Sequence, residues 1–167
     1  VTRRQGSRFA TEADEEPIMR ARNQALLMSI LVLALLAALS GALQADEHKT
    51  KTLFYNLTTD DSWASGMALG QAAMALQNGY QVVVFLNVRG VYLAQQSRAQ
   101  DTFSGTGKTA HEMLASLREQ GARVIICPMC MKKAAIADSD LVPGVEIGGP
   151  KVTFPLMTAD DTVVLSY

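Results

Sequence analysis

The chain has 167 residues, 49% of them apolar, and a formal net charge of −1. That size fits one domain with a buried core, and the apolar content excludes general disorder. A near-neutral chain with no long basic run is not a nucleic-acid binder that works by neutralising phosphates.

The first landmark is ALLMSILVLALLAAL, residues 25–39, which carries no charge. Arg20 and Arg22 precede it, and the small residues of SGALQA, residues 40–45, follow. A basic flank, an apolar run of this length and small residues after it describe a secretory signal peptide. Cleavage is expected after Ala45, with Ala42 the second choice. Counting Ser40 to Leu43 into the run gives the alternative, a retained membrane anchor. The acidic stretch EADEEP, residues 12–17, does not suit a signal's charged region, and Met19 opens MRARNQALLMSI as a better start. Arg3-Arg4 stands too far from the apolar run for a twin-arginine signal. Residues 1–45 are therefore expected to be extension and signal, and residues 46–167 the folded domain. The expected location is the periplasm, or the membrane surface if the helix is retained. Export would place the cysteines where disulfides persist.

KTLFYNL, residues 51–57, reads as a first strand. Thr59 or Asp60 is expected to cap the helix that follows, with Asp60 and Asp61 in its positive first turn. Met67, Gly70, Met74 and Leu76 are assigned to its packing face, and Asn78-Gly79 to its end. QVVVFLN, residues 81–87, is β-branched almost throughout, as in a strand covered on both faces. Residues 88–107 are irregular, with a short helix near Tyr92 to Ala99. TAHEMLASLREQ, residues 109–120, spaces Met113, Leu114 and Leu117 as a helix does, and Gly121 stops it. RVIIC, residues 123–127, is a third strand. Met131 to Ala137 reads as a short helix, Pro143 to Pro150 as a Gly/Pro-rich stretch, and TVVLSY, residues 162–167, as the last strand. Alternating apolar strands and helices predict a parallel sheet with helices on both faces.

GTGKT, residues 105–109, looks like the end of a phosphate-binding loop. That loop needs a glycine five residues before Gly107, after a strand, and Thr102 stands there instead. The segment is read as a loop leading into a helix. His48 and His111 lack the local spacing of zinc ligands beside the cysteines, and neither a metal nor a cofactor is assigned. Met67, Met74 and Met113 read as core filler, while Met129 and Met131 flank the cysteines and raise soft-metal binding as an alternative.

IICPMCMKK, residues 125–133, holds both cysteines. Cys127 closes a strand and a helix begins just after it, at the sheet edge where α/β proteins collect ligand chemistry. The positive end of that helix favours a thiolate, and Lys132 and Lys133 add positive charge. Pro128 and the lysines suggest a surface turn rather than inert burial.

From Lys51 to Tyr167 the chain resembles the DsrE/DsrF-like proteins, which include sulfur-relay subunits. The resemblance rests on KTLFYNLTTDD and its helix, on QVVVFLN, and above all on RVIICPMCMKKAAI. Cys127 matches the family's active cysteine, Cys130 the second cysteine of some members, and Ile136 a trailing aliphatic residue. Ala134-Ala135 stands where many members have Arg-Gly. The resemblance implies a three-layer α/β/α domain with a mainly parallel five-stranded sheet, commonly assembled as homo- or hetero-oligomers. It also implies that Cys127 carries sulfur as a persulfide.

The expectation is an exported sulfur-transfer protein with Cys127 as carrier and Cys130 as partner. Its partners are small sulfur compounds or a persulfide donor protein, and a second copy of itself; no nucleic acid is involved. Placement at strand ends adds Asn56, Asn87 and Arg89 as candidate substrate-binding residues, with Lys132 beside the cysteines. Two alternatives stay open: a Cys-x-x-Cys thiol-disulfide oxidoreductase, and a copper-binding or oligomeric interaction module.

Overall fold

A computed structural model describes residues 51–167 together with Met28. The expectations for the N-terminal extension, the Met19 start, the signal or anchor run and His48 lie outside the described residues. No helix among the described residues is long and apolar enough to cross a membrane.

Five strands build the main sheet: β1 (Thr52–Leu57), β2 (Gln81–Leu86), β5 (Arg123–Ile126), β6 (Glu146–Ile147) and β7 (Thr162–Ser166). Their order is β6-β5-β2-β1-β7, and every neighbouring pair is parallel. Two further short strands, β3 (Thr102–Phe103) and β4 (Lys108–Thr109), form a separate antiparallel hairpin. The expected α/β fold with a five-stranded parallel sheet is what the chain adopts.

The helices divide between the faces. Helix α1 (Ser62–Gln77) and helix α2 (Ala110–Glu119) cover one face, where Leu69, Ala72, Leu114 and Leu117 pack against Tyr55, Val84 and Ile126. Helix α3 (Pro128–Ala134) adds Met131 to this core. Helix α4 (Pro150–Met157) covers the other face, bringing Val152, Leu156 and Met157 against Phe54, Val83 and Ile125. Strands buried on both sides cannot alternate polar and apolar residues, which explains the continuous run of β2.

Several local expectations are corrected. Asp61, not Thr59 or Asp60, caps α1, its carboxylate accepting from the Ala64 amide at 2.8 Å. The buried side of α1 is Ser65, Gly66, Ala68, Leu69, Ala72 and Ala75. Met67 and Met74 face outward instead, with Met74 63% exposed. This helix is small or apolar all round, so periodicity could not choose its inner face. Small side chains won because they let the helix lie close to the sheet. Met113, by contrast, is buried as expected.

The segment after β2 is a 3₁₀ helix at Val88–Ala94, earlier than the expected helix near Tyr92 to Ala99. Helix α3 starts at Pro128, three residues before the expected Met131, because Pro128 takes the first helical position, where its missing N–H costs nothing. The Gly/Pro-rich stretch contains β6 and leads into α4, neither of which was expected as an element. GTGKT forms the hairpin turn between β3 and β4 and then the start of α2, with Gly107 at φ 68°. Thr109 caps α2 in a reciprocal capping box with Glu112.

Candidate functional site

Because all five strands are parallel, their carboxyl ends share one rim, where open α/β sheets place their chemistry. The residues of that rim follow from the pairing. Leu86 lies beside Ile126, so the next residues, Asn87 and Cys127, follow side by side on neighbouring strands. Asn56 lies beside Ser166 on β7. The Asn87 amide donates to the Asn56 carbonyl oxygen at 2.5 Å, and the Asn56 amide donates to Ser166 Oγ at 3.1 Å. A polar row of Asn87, Asn56 and Ser166 thus runs along the rim from the strand beside Cys127.

Both cysteines are free and half-buried. The Cys127 backbone N–H donates to Leu86 O at 2.9 Å, which locks the residue onto the rim before the chain turns into α3. Cys127 shares the alternation of Ile125, which packs on the α4 side of the sheet. Cys130, three residues on, packs against the larger core on the opposite side. The Cys-Pro-Met-Cys segment therefore wraps the edge of the sheet.

Cys130 is tied to the strand next door. The Val88 N–H donates to Cys130 Sγ at 3.1 Å. Val88 holds this position with φ 49°, a region that a β-branched residue rarely enters. Strain of this kind costs about 1–3 kcal/mol and persists only where the surroundings enforce it. Burial pushes the Cys130 thiol up, and its hydrogen bond with Cys127 pushes it further; the Val88 N–H pulls the other way and does not win. Cys130 is accordingly a protonated thiol at neutral pH, beside Cys127.

The other expected site residues divide. Asn56 and Asn87 are brought together with the cysteine rim. Arg89 forms a two-pronged ion pair with Asp60, Nε to Oδ1 at 2.8 Å and Nη2 to Oδ2 at 2.9 Å, and Arg98 joins the same carboxylate at 2.9 Å. Burial pushes Asp60 up, but the Arg89 hydrogen bonds, its own backbone and both guanidinium charges outweigh this and leave it below the usual carboxylate range. Arg89 thus has a structural counter-ion and anchors the 3₁₀ segment to the start of α1. Lys132 is exposed in the last turn of α3, at the opposite end of that helix from Cys127. There it complements the helix dipole. Met131 is buried in the core while Met129 is 75% exposed, so the two do not face one ligand. Among the described residues, no cluster of three or more His, Cys, Asp or Glu is arranged to hold a metal.

Sequence reasoning missed three contributors. Ser166 completes the asparagine row, Val88 supplies the N–H to Cys130, and α4 walls the space beside Cys127. That space is a cavity of about 220 Å³ lined by Phe85, Cys127, Met129, Thr153, Phe154 and Met157, among others. A larger apolar groove of about 380 Å³ runs between α1, α2 and the hairpin, but neither cysteine lines it. Of the two, only the smaller cavity is lined by a cysteine, Cys127.

A model of the DsrE/DsrF-like family matches residues 30–164, which includes Asn56, Asn87 and both cysteines. The chain belongs to the DsrE/DsrF-like family. An uncharacterised protein of Methanopyrus kandleri is 34% identical over 80 residues, 48% of this chain and 63% of that protein. The chain therefore spans under two thirds of the length of this relative. The fold is shared with the ychN protein of E. coli, at TM-score 0.56 and 22% identity, over 70% of this chain and 98% of that one. It is shared too with MTH1491 of Methanobacterium thermoautotrophicum, at TM-score 0.58 and 12% identity, over 70% and 99% of the two chains. The DsrE/DsrF-like family is linked to sulfur relay, and the rim of this chain carries two thiols.

Proposed function

We propose that this protein carries sulfur as a persulfide on Cys127, with Cys130 as the thiol that discharges it. The observation that carries this reading is the pair itself: two free thiols at one strand-to-helix turn, one lining a cavity and the other packed against the core. The Cys127 thiolate attacks the terminal sulfur of a donor persulfide. A new S–S bond forms at Cys127, the donor's S–S bond breaks, and the donor leaves as a thiolate with the electron pair. In discharge, the Cys130 thiolate attacks Cys127 Sγ. The outer sulfur leaves as hydrosulfide and a Cys127–Cys130 disulfide closes. A dithiol reductant then restores both thiols. Asn87 and Asn56 offer amide groups beside the thiol row. The donor is a small sulfur compound or a persulfide-bearing protein, and export to the periplasm remains part of the proposal through residues 25–45.

The same proximity favours a second reading, a Cys-x-x-Cys thiol-disulfide oxidoreductase. Intact-mass spectrometry after incubation with benzyl persulfide separates the two. Carriage predicts a gain of whole sulfur atoms, lost in Cys127→Ser and kept in Cys130→Ser. A parent that loses two hydrogens while Cys130→Ser gains no sulfur is an oxidoreductase.

A further inference from the structure

The cavity beside Cys127 is apolar on nearly every side. Phe85 rises from β2, Pro128 and Met129 from α3, and Pro150, Phe154 and Met157 from α4. Thr153 is its one hydroxyl side chain, and that hydroxyl is turned to the Gly149 carbonyl at 3.3 Å within its own helix. Among the described residues, no charged side chain lines the cavity. Of the cations on neighbouring elements, Arg89 pairs with Asp60, Lys132 and Lys133 stand in the last turn of α3, and Lys151 is exposed in the first turn of α4. A site for thiosulfate or an inorganic polysulfide anion would need cations or convergent N–H donors against the ligand's charge. This one has a thiol, two aromatic rings and two methionines.

We infer that the cavity selects a neutral, apolar sulfane-sulfur compound as the donor to Cys127, either elemental sulfur or an organic persulfide with an aliphatic or aromatic group. This rests on the persulfide reading and names its substrate class. With an organic persulfide, Cys127–S⁻ attacks the outer sulfur, Cys127–S–SH forms, and the organic thiolate leaves with the electron pair. With elemental sulfur, the thiolate opens the ring: one S–S bond breaks, one forms at Cys127, and the negative charge ends on the far sulfur of the chain. Neither step needs an added oxidant or reductant. The apolar group lies against Phe154 and Met157, where burial is favourable and an anion's desolvation is not.

Two measurements test this on the Cys130→Ser chain, where Cys127 reacts alone. In the first, Cys127 is modified by benzyl methanethiosulfonate and by its sulfonatoethyl analogue, with the same pair run against free N-acetylcysteine. The benzyl-to-sulfonatoethyl rate ratio should exceed that of the free thiol by about tenfold or more, the discrimination an apolar pocket gives. Phe154→Glu, at a position 61% exposed and so tolerant of charge, should return the ratio to the free-thiol value. In the second, sulfur uptake is followed by mass with dispersed elemental sulfur, benzyl persulfide and thiosulfate in separate arms. Preference for either apolar donor over thiosulfate supports the inference, and the two apolar arms show which source it is. A reagent ratio equal to that of the free thiol, or one unmoved by Phe154→Glu, overturns it. The reagents do not depend on sulfur carriage. Equal uptake from all donors sinks only the selectivity, whereas no uptake from any donor alongside a high reagent ratio sinks the carrier reading alone.

Discussion

Cys127 and Cys130 differ in surroundings more than their spacing suggests. Cys127 lines the cavity, while Cys130 is packed against the core and held by Val88. Burial and its partner keep the Cys130 thiol above its ordinary value, so its thiolate is scarce at neutral pH. The proposed discharge of a Cys127 persulfide uses that thiolate as its nucleophile. Hydrosulfide release, followed by a sulfide-sensitive probe after single loading, should therefore rise about tenfold per pH unit through the mildly alkaline range until Cys130 has ionised. A pH-independent release would remove Cys130 from the step. Both cysteines and Asn56 and Asn87 were legible in the sequence, because strand ends can be found from apolar runs. Ser166 and Val88 were not, since they act across strands and the pairing order is a tertiary fact.

Arg89 shows the same limit from the other side. Its place just after a strand made it look like a ligand-binding cation, and only the fold reveals that Asp60 already faces it. Asp60 also has a sign that can be checked. Its folded pKa is depressed, so its ion pairs contribute stability that is present above the unfolded carboxylate value and lost as pH falls through the folded one. In Asp60→Asn, the acid-side loss of stability between neutral pH and about pH 3, read by urea unfolding, should be smaller than in the parent.

The ends of the elements decide where the thiols sit. Helix α3 closes on Ala135 in a left-handed conformation, φ 56° and ψ 36°. Glycine is the natural residue there, and the family resemblance puts Arg-Gly at Ala134-Ala135. A left-handed alanine costs about 1–2 kcal/mol, and the extra freedom of an unfolded glycine returns about 0.5–1 kcal/mol of that. Ala135→Gly should thus stabilise the domain by about 0.5–1 kcal/mol, read as a higher urea midpoint with an unchanged slope. The 3₁₀ segment has the opposite constraint at Gly90. A Cβ there would lie 2.2 Å from the Leu57 carbonyl oxygen, and that backbone belongs to β1. Gly90→Ala should cost about 1–3 kcal/mol, the usual range for overpacking, and should slow reaction of Cys127 and Cys130 by moving Val88. Helix α4 escaped sequence reading because Pro155 lies inside it and Gly148-Gly149 precede it. Its packing on Phe54, Val83 and Ile125 overrides those local signals.

At the scale of the molecule, the fold was legible and the arrangement of its surface was not. Strand after helix after strand, with β-branched runs, admits few solutions besides a covered parallel sheet. What the pattern cannot give is asymmetry. One face carries α1 and α2, the other the eight residues of α4, and the thinner cover leaves room for a cavity at the thiol. The central claim is that this cavity and rim load sulfur onto Cys127. The measurement that tests it most directly is intact-mass spectrometry of the reduced protein after exposure to benzyl persulfide, without added reductant. The account predicts a gain of whole sulfur atoms in Cys130→Ser, where discharge is blocked, and none in Cys127→Ser. A Cys130→Ser chain that gains no sulfur, or an equal gain in Cys127→Ser, contradicts it.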